Sequence, residues 1–302
     1  MIKRITIIGL GLIGGSLALA IKKRWPSVIT IGIDRNQESL EFAFDNGLID
    51  VVGGALLDVQ WADVDMVIMA VPSVVLTEIL IAFASLPVRE DILFTDVGST
   101  KRRVIDIFQQ YLPEHFPYFV AAHPIAGSEK NNIQHAQATL FRQKKVVLCP
   151  HDQQEPTAWD RIKNFWTEIG LQVVILEAMM HDQLLAMTSH FPHLLSYVFM
   201  HQISSSELKN DYLQIAGSGF RDFSRIAAGE ANLWADICCD NRDFLLPLLD
   251  TYQQELEQVR HYLLHKEPLA LSEYFSQSRK TRQSWREEDT IRYNSASQCH
   301  DD

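Results

Sequence analysis

The chain opens on RITIIGLGLIGGSLALAIKKRW, and this stretch restricts the choice of fold more than any other. The β-branched run Ile5 to Ile8 reads as a buried strand, three glycines follow, and from Leu12 the apolar residues take helical spacing. Gly9, Gly11 and Gly14 fit G-x-G-x-x-G, and a second apolar strand over 28–34 ends in Asp34, twenty positions past Gly14. Strand, glycine turn, helix and acid-terminated strand together make a βαβ unit built for a dinucleotide. Gly9 makes the tight turn, Gly11 lets backbone amides approach a pyrophosphate, and Gly14 lets helix and strand pack closely. Leu12 and Ile13 complete the loop, whose helix presents its positive end to the phosphates. Asp34 accepts hydrogen bonds from the adenine ribose hydroxyls and repels a 2′-phosphate, which points to NAD. Arg35 beside it is the one feature that would welcome NADP.

The same N-terminal run has the basic start and apolar body of a secretory signal, but the glycines interrupt it regularly. Lys22, Lys23 and Arg24 stand where a cleaved junction would be small and neutral. No other stretch is long and uncharged enough to span a bilayer, because Pro72 and Glu78 break the apolar segment around them. Cys149, Cys238, Cys239 and Cys299 lack metal or disulfide spacing. The reading is a cytoplasmic protein with reduced thiols and no metal. A net charge of −11 on 302 residues repels phosphate backbones and anionic lipid, so neither nucleic acid nor membrane is an expected partner. An anionic small substrate would need a local cluster of Arg, Lys or His.

Along the chain, strands and amphipathic helices alternate as far as LQVVILE, then the pattern turns helical. The expected fold class is α/β, a Rossmann-type mostly parallel sheet over 1–177 followed by an all-α domain over 178–287. A polar, disordered tail is expected over 288–302. The helical segments expected are HDQLLAMTSHFPHLLSYVFMHQIS, WADICCDNRDFLLPLLDTYQQELEQVRHYLLH and LALSEYFSQSRKTRQSW. Their apolar surface exceeds what the domain buries by itself, which predicts a homodimer.

Ligands of doubly wound sheets bind outside the carboxyl ends of the strands. Three predicted strand ends carry polar loops there: AVPS with Val71, Pro72 and Ser73, DVGSTK with Asp96, Ser99 and Lys101, and HPIAGSEK with His123. The first is assigned to the cofactor. A neutral imidazole at His123 could take a proton from a substrate hydroxyl as hydride leaves the same carbon. Ser99 could serve this site, the N-cap of the next helix, or both. Arg225 in GFRDFSRIA offers a planar fork for a carboxylate, with Arg221 four residues earlier. His190 and His193 are helical neighbours, yet nothing is spaced to complete a metal site with them.

Taken in order, GLGLIGGS, DVGSTK, HPIAGSEK, SHFPH and GFRDFSRIA resemble the prephenate dehydrogenase family of tyrosine biosynthesis, with its arogenate-using and dual-specificity members, over nearly the whole chain. The resemblance implies His123 as catalytic histidine, Ser99 as a serine at the reacting centre, and His193 and Arg225 as substrate-binding residues. Ser128 and Glu129 of the same HPIAGSEK loop are expected on the substrate side as well. The resemblance also implies oxidative decarboxylation of prephenate to 4-hydroxyphenylpyruvate with NAD, and the length of the chain leads us to expect a single-activity form. The competing readings are a β-hydroxyacid dehydrogenase or imine reductase of similar architecture, and a non-catalytic NAD-binding sensor.

Overall fold

The structure is a computed structural model that describes residues 2–126 and 132–285; Ser128, Glu129 and the tail over 288–302 lie outside the described residues. Eight strands, β1 (Arg4–Ile8), β2 (Ile29–Ile33), β3 (Val51–Val52), β4 (Met66–Met69), β5 (Leu93–Asp96), β6 (Phe119–Ile125), β7 (Lys145–Cys149) and β8 (Gln172–Ile175), form one sheet. Its order is β3-β2-β1-β4-β5-β6-β7-β8. The first six are parallel and reproduce the strand order of dinucleotide-binding sheets. β7 returns antiparallel to β6, with His123 opposite Val147, and β8 pairs parallel with β7. Among the described residues no α-helix separates β6 from β7, and a parallel return would need such a crossover.

Helices α1 (Leu12–Arg24), α2 (Gln37–Asp45), α3 (Ser73–Phe83), α4 (Arg102–Tyr111) and α5 (Pro156–Ile169) cover the sheet. Successive strand side chains point to opposite faces, and the core divides accordingly. Ile5, Ile7 and Ile68 pack with Leu17 of α1 and Trp166 of α5, whereas Ile8, Val67 and Met69 pack with Phe83 of α3 and Phe108 of α4. Burial on both faces explains why these strands read as continuous apolar runs rather than alternating ones.

After β8 the described chain is helical: α6 (Ala178–Leu185), a π-helical turn over Ala186–His190, α7 (Phe191–Ser204), α8 (Lys209–Gln214), α9 (Ser218–Ser224), a 3₁₀ turn over Arg225–Ala228, α10 (Ala231–Asp240), α11 (Arg242–Leu264) and α12 (Pro268–Ser284). Two of the expected helical segments are interrupted. Pro192 has no amide hydrogen and its ring would strike the carbonyl four residues back, and the wide π turn lies directly before it. The other interruption falls at Asn241, fully buried between α10 and α11. The chain packs as two compact units, Met1–Phe244 and Leu245–Asp302.

Candidate active site

The glycine loop shapes a groove at the carboxyl ends of β1, β2 and β4. Gly9 sits at φ +96°, and a Cβ there would stand 2.3 Å from the Ala70 carbonyl oxygen; a Cβ on Gly14 would stand 1.9 Å from the Gly9 carbonyl oxygen. Both are backbone atoms with little freedom to yield, so glycine is required for loop, helix and strand end to meet. Gly11 is the N-cap of α1 and supplies no side-chain cap; the first turn holds no acid, and Lys22, Lys23 and Arg24 occupy the last turn. The unsatisfied amides and the positive end of the helix dipole therefore suit an anion.

The groove holds 660 Å³ and is lined by Gly9, Gly11, Asp34, Arg35, Val71 and Pro72, among others. Leu12 and Gly14 are buried behind it and Ile13 packs against the core. Ser73 Oγ donates to Asp240 Oδ2 at 2.5 Å. Asp34 does more than its position in the sequence announces: Oδ2 accepts from the Leu10 amide at 2.6 Å and Oδ1 from the Asn36 amide at 2.8 Å. Each oxygen keeps a lone pair for a ribose hydroxyl. Arg35 is exposed, with no hydrogen bond or ion pair among the described residues. These features fit NAD+: a cradle that a Cβ would fill, a helix terminus for the pyrophosphate, and an acid at the ribose position.

The ends of β5 and β6 are joined by a buried ion pair. Lys101 Nζ donates to Asp96 Oδ2 at 2.5 Å and to the Ala122 carbonyl at 2.6 Å, while Asp96 Oδ1 accepts from the Ala122 amide at 2.9 Å. The backbone before His123 is thereby fixed to the loop that carries Ser99. Ser99 is not the N-cap of α4, one of the two roles expected for it. Lys101 occupies that position, and the Asp182 carboxylate accepts from the amides of Lys101 at 2.8 Å and Arg102 at 3.1 Å.

His123 is half-buried on β6, with Nδ1 2.8 Å from His181 Nε2; His181 Nδ1 in turn lies 2.8 Å from Asp182 Oδ1. Burial, followed by the nearby His181, Lys101 and His190, pushes the His123 pKa well below its ordinary value. Burial lowers His181 as well, and takes His190 down to about 4. Near neutral pH all three imidazoles are uncharged. His190 Nδ1 accepts from Asn241 Nδ2 at 3.0 Å, and the same amide group donates to the Asp182 carbonyl at 2.8 Å. His193 stacks on Trp234, with ring centroids 3.6 Å apart, and Nδ1 donates to the Ser189 carbonyl at 2.8 Å. Burial lowers the His193 pKa, and the charge of Arg225 lowers it further, which puts these two residues in one electrostatic neighbourhood.

Sequence reasoning missed His181, Asp182 and Asn241. Their signal was slight: an adjacent His-Asp pair in a helix, and one asparagine inside a long helical pattern.

A dinucleotide groove where the sheet reverses its strand order, an uncharged histidine on β6 of the same sheet, and a helical region bearing further histidines and an arginine define a nucleotide-dependent dehydrogenase. Residues 17–175 match the nucleotide-binding domain of prephenate dehydrogenase, and residues 177–277 match its dimerization domain. The chain is 34% identical over 293 residues to a cyclohexadienyl dehydrogenase of Zymomonas mobilis, covering 96% of this chain and 98% of that one. It is 34% identical over 279 residues to the prephenate dehydrogenase of Bacillus subtilis, covering 92% and 75%. The crystal structure of prephenate dehydrogenase from A. aeolicus in complex with hydroxyphenyl propionate and NAD+ superposes with a TM-score of 0.85 at 26% identity, covering 94% of this chain and 98% of that one. The chain belongs to the prephenate dehydrogenase family and is an oxidoreductase. Family membership sets aside the hydroxyacid dehydrogenase, imine reductase and sensor readings.

Proposed function

We propose that this chain converts prephenate to 4-hydroxyphenylpyruvate and CO2 as an NAD+-dependent homodimer in the cytoplasm, with His123 as the base. The observation that carries the reading is an uncharged His123 imidazole, fixed in place from behind, on the sheet that also forms the dinucleotide groove. NAD+, when bound, supplies the acceptor for the hydride that leaves the hydroxyl-bearing ring carbon. His123 takes the hydroxyl proton, so the C–O bond becomes a carbonyl as that carbon loses its hydride. The C–C bond to the ring carboxylate then breaks, its electron pair enters the ring, CO2 leaves, and the resulting phenolate takes back the proton held by His123 to give the aromatic phenol. Aromatisation makes the step irreversible, which leaves the protein chiefly to position the reactants and accept a proton.

Prephenate carries two carboxylates, and the cationic group best suited to one of them is Arg225, beside His193. Ser99 lies on the loop fixed to the backbone before His123, where its hydroxyl serves the reacting centre. Arogenate shares the ring chemistry and differs in its side chain, so it is a candidate second substrate. Among the described residues no helix is long and apolar enough to cross a membrane.

Steady-state formation of NADH, followed by absorbance with prephenate and with arogenate, tests the reading. Turnover of prephenate is expected, and His123→Asn should lower kcat by ~10²-fold or more without changing NAD+ affinity. Wild-type kcat in that variant would place the base elsewhere.

A further inference from the structure

We infer that His181 and Asp182 form a positioning pair that holds His123 as the Nδ1–H tautomer, so that Nε2 is the atom that takes the substrate proton. The inference rests on His123 being the base and adds the machinery behind it.

The argument follows hydrogen-bond polarity from the buried end. Asp182 is 1% exposed, and its carboxylate oxygens face only donors among the described residues: the Lys101 amide and His181 Nδ1 at Oδ1, and the Arg102 amide and Nε at Oδ2. These donors hold Asp182 below the usual carboxylate range against the opposing effect of burial, so the group is ionised and accepts at every contact. His181 must therefore carry its hydrogen on Nδ1. A neutral imidazole has one N–H, so His181 Nε2 is a lone pair, and the 2.8 Å contact to His123 requires the hydrogen on His123 Nδ1. The remaining nitrogen of His123, Nε2, is then the basic one.

Among the described residues the neighbouring polar groups have partners of their own. Lys101 Nζ is committed to Asp96 and the Ala122 carbonyl, and His190 Nδ1 to Asn241. When His123 accepts the proton, the cation keeps its Nδ1–H bond to His181, and the negative Asp182 stands one residue beyond. No proton needs to pass to His181 or Asp182, and the pair acts by fixing tautomer and ring orientation and by stabilising the charged form. Asp182 also caps α4, so the helix that follows the Ser99 loop and the base share one buried carboxylate.

The test compares His181→Leu, His181→Gln and His123→Asn in the full-length enzyme. Leucine offers no acceptor, whereas the glutamine side-chain oxygen can receive the His123 Nδ1–H. His181→Leu should lower kcat by roughly 10- to 100-fold, leave the KM for NAD+ unchanged, and move the acid limb of the kcat/KM profile to lower pH because the protonated base loses its acceptor. His181→Gln should recover kcat to within about fivefold of wild type and return the limb toward its original position. NAD+ binding by calorimetry reports whether each variant is folded; if the leucine variant is not, the glutamine variant compared with His181→Asn, whose shorter side chain falls short of His123, gives the same contrast. A folded His181→Leu enzyme with wild-type kcat and pH profile overturns the pair while His123 stands, provided His123→Asn is inactive. An active His123→Asn overturns the assignment of the base itself.

Discussion

We propose two duties for the single carboxylate of Asp34. The role at the ribose is proposed from spacing, an acid closing the second strand twenty positions past Gly14 as in the dinucleotide-binding motif. Its grip on the Leu10 and Asn36 amides was not legible, because it is a contact between the ends of two neighbouring strands. The two duties make a double expectation for Asp34→Ser. Loss of the negative charge beside the exposed Arg35 should raise the ratio of kcat/KM for NADP+ over NAD+ by about tenfold or more. Loss of the loop brace should weaken NAD+ in absolute terms. Asp34→Asn retains one acceptor oxygen and should separate the effects, with the loop better kept and the ratio still raised. A wild-type enzyme already favouring NADP+ would remove Asp34 from the ribose. The residues behind His123 show a harder limit on legibility: 58 positions separate His123 from His181, and only the folded sheet reveals that they touch.

At the scale of elements, sequence patterning recovers what local rules govern and loses what tertiary contacts impose. The strand–loop–helix at the N-terminus follows from β-branched residues, glycines and a helix with basic residues in its last turn, and all three are local. Gly14 makes that dependence testable. Gly14→Ala should cost about 1–3 kcal/mol, because the new methyl meets a backbone carbonyl that can move only by displacing the loop. It should also weaken NAD+, since the displaced loop is the one proposed to receive the pyrophosphate. Thermal unfolding and calorimetric NAD+ titration measure both, and unchanged Tm and affinity would show that the loop yields freely. By contrast, the π turn over Ala186–His190 and the break at Asn241 escape periodicity, because the apolar spacing continues through both. Pro192 was a visible warning of the first. Asn241 breaks a helical pattern to place its amide between the Asp182 carbonyl and His190, and no repeat in the sequence encodes that choice. β3, two residues long, is set by pairing with β2 alone and has no pattern to read.

For the whole molecule, the helices of the Leu245–Asp302 unit pose a problem that a second copy of the chain resolves. Among the described residues α11 buries Leu245 alone and α12 buries none, although both helices are rich in leucine and aromatic side chains. Leu256 is 53% exposed, Leu263 61% and Leu269 86%. Exposed apolar side chains in such number suit an association face, and most of this region falls within the match to the family's dimerization domain. Leu256 and Leu263 are seven residues apart, two turns of α11, and so share a face. Light scattering at micromolar concentration should give twice the chain mass of 34.5 kDa. Because association stabilises only the folded chain, Tm should rise with protein concentration. The double substitution of Leu256→Asp with Leu263→Asp should give a monomer whose Tm is lower and no longer depends on concentration, as charges cannot be buried unpaired in an apolar contact. A wild-type mass of 34.5 kDa, or a double variant that still dimerises with unchanged Tm, would remove this face of α11 from the interface.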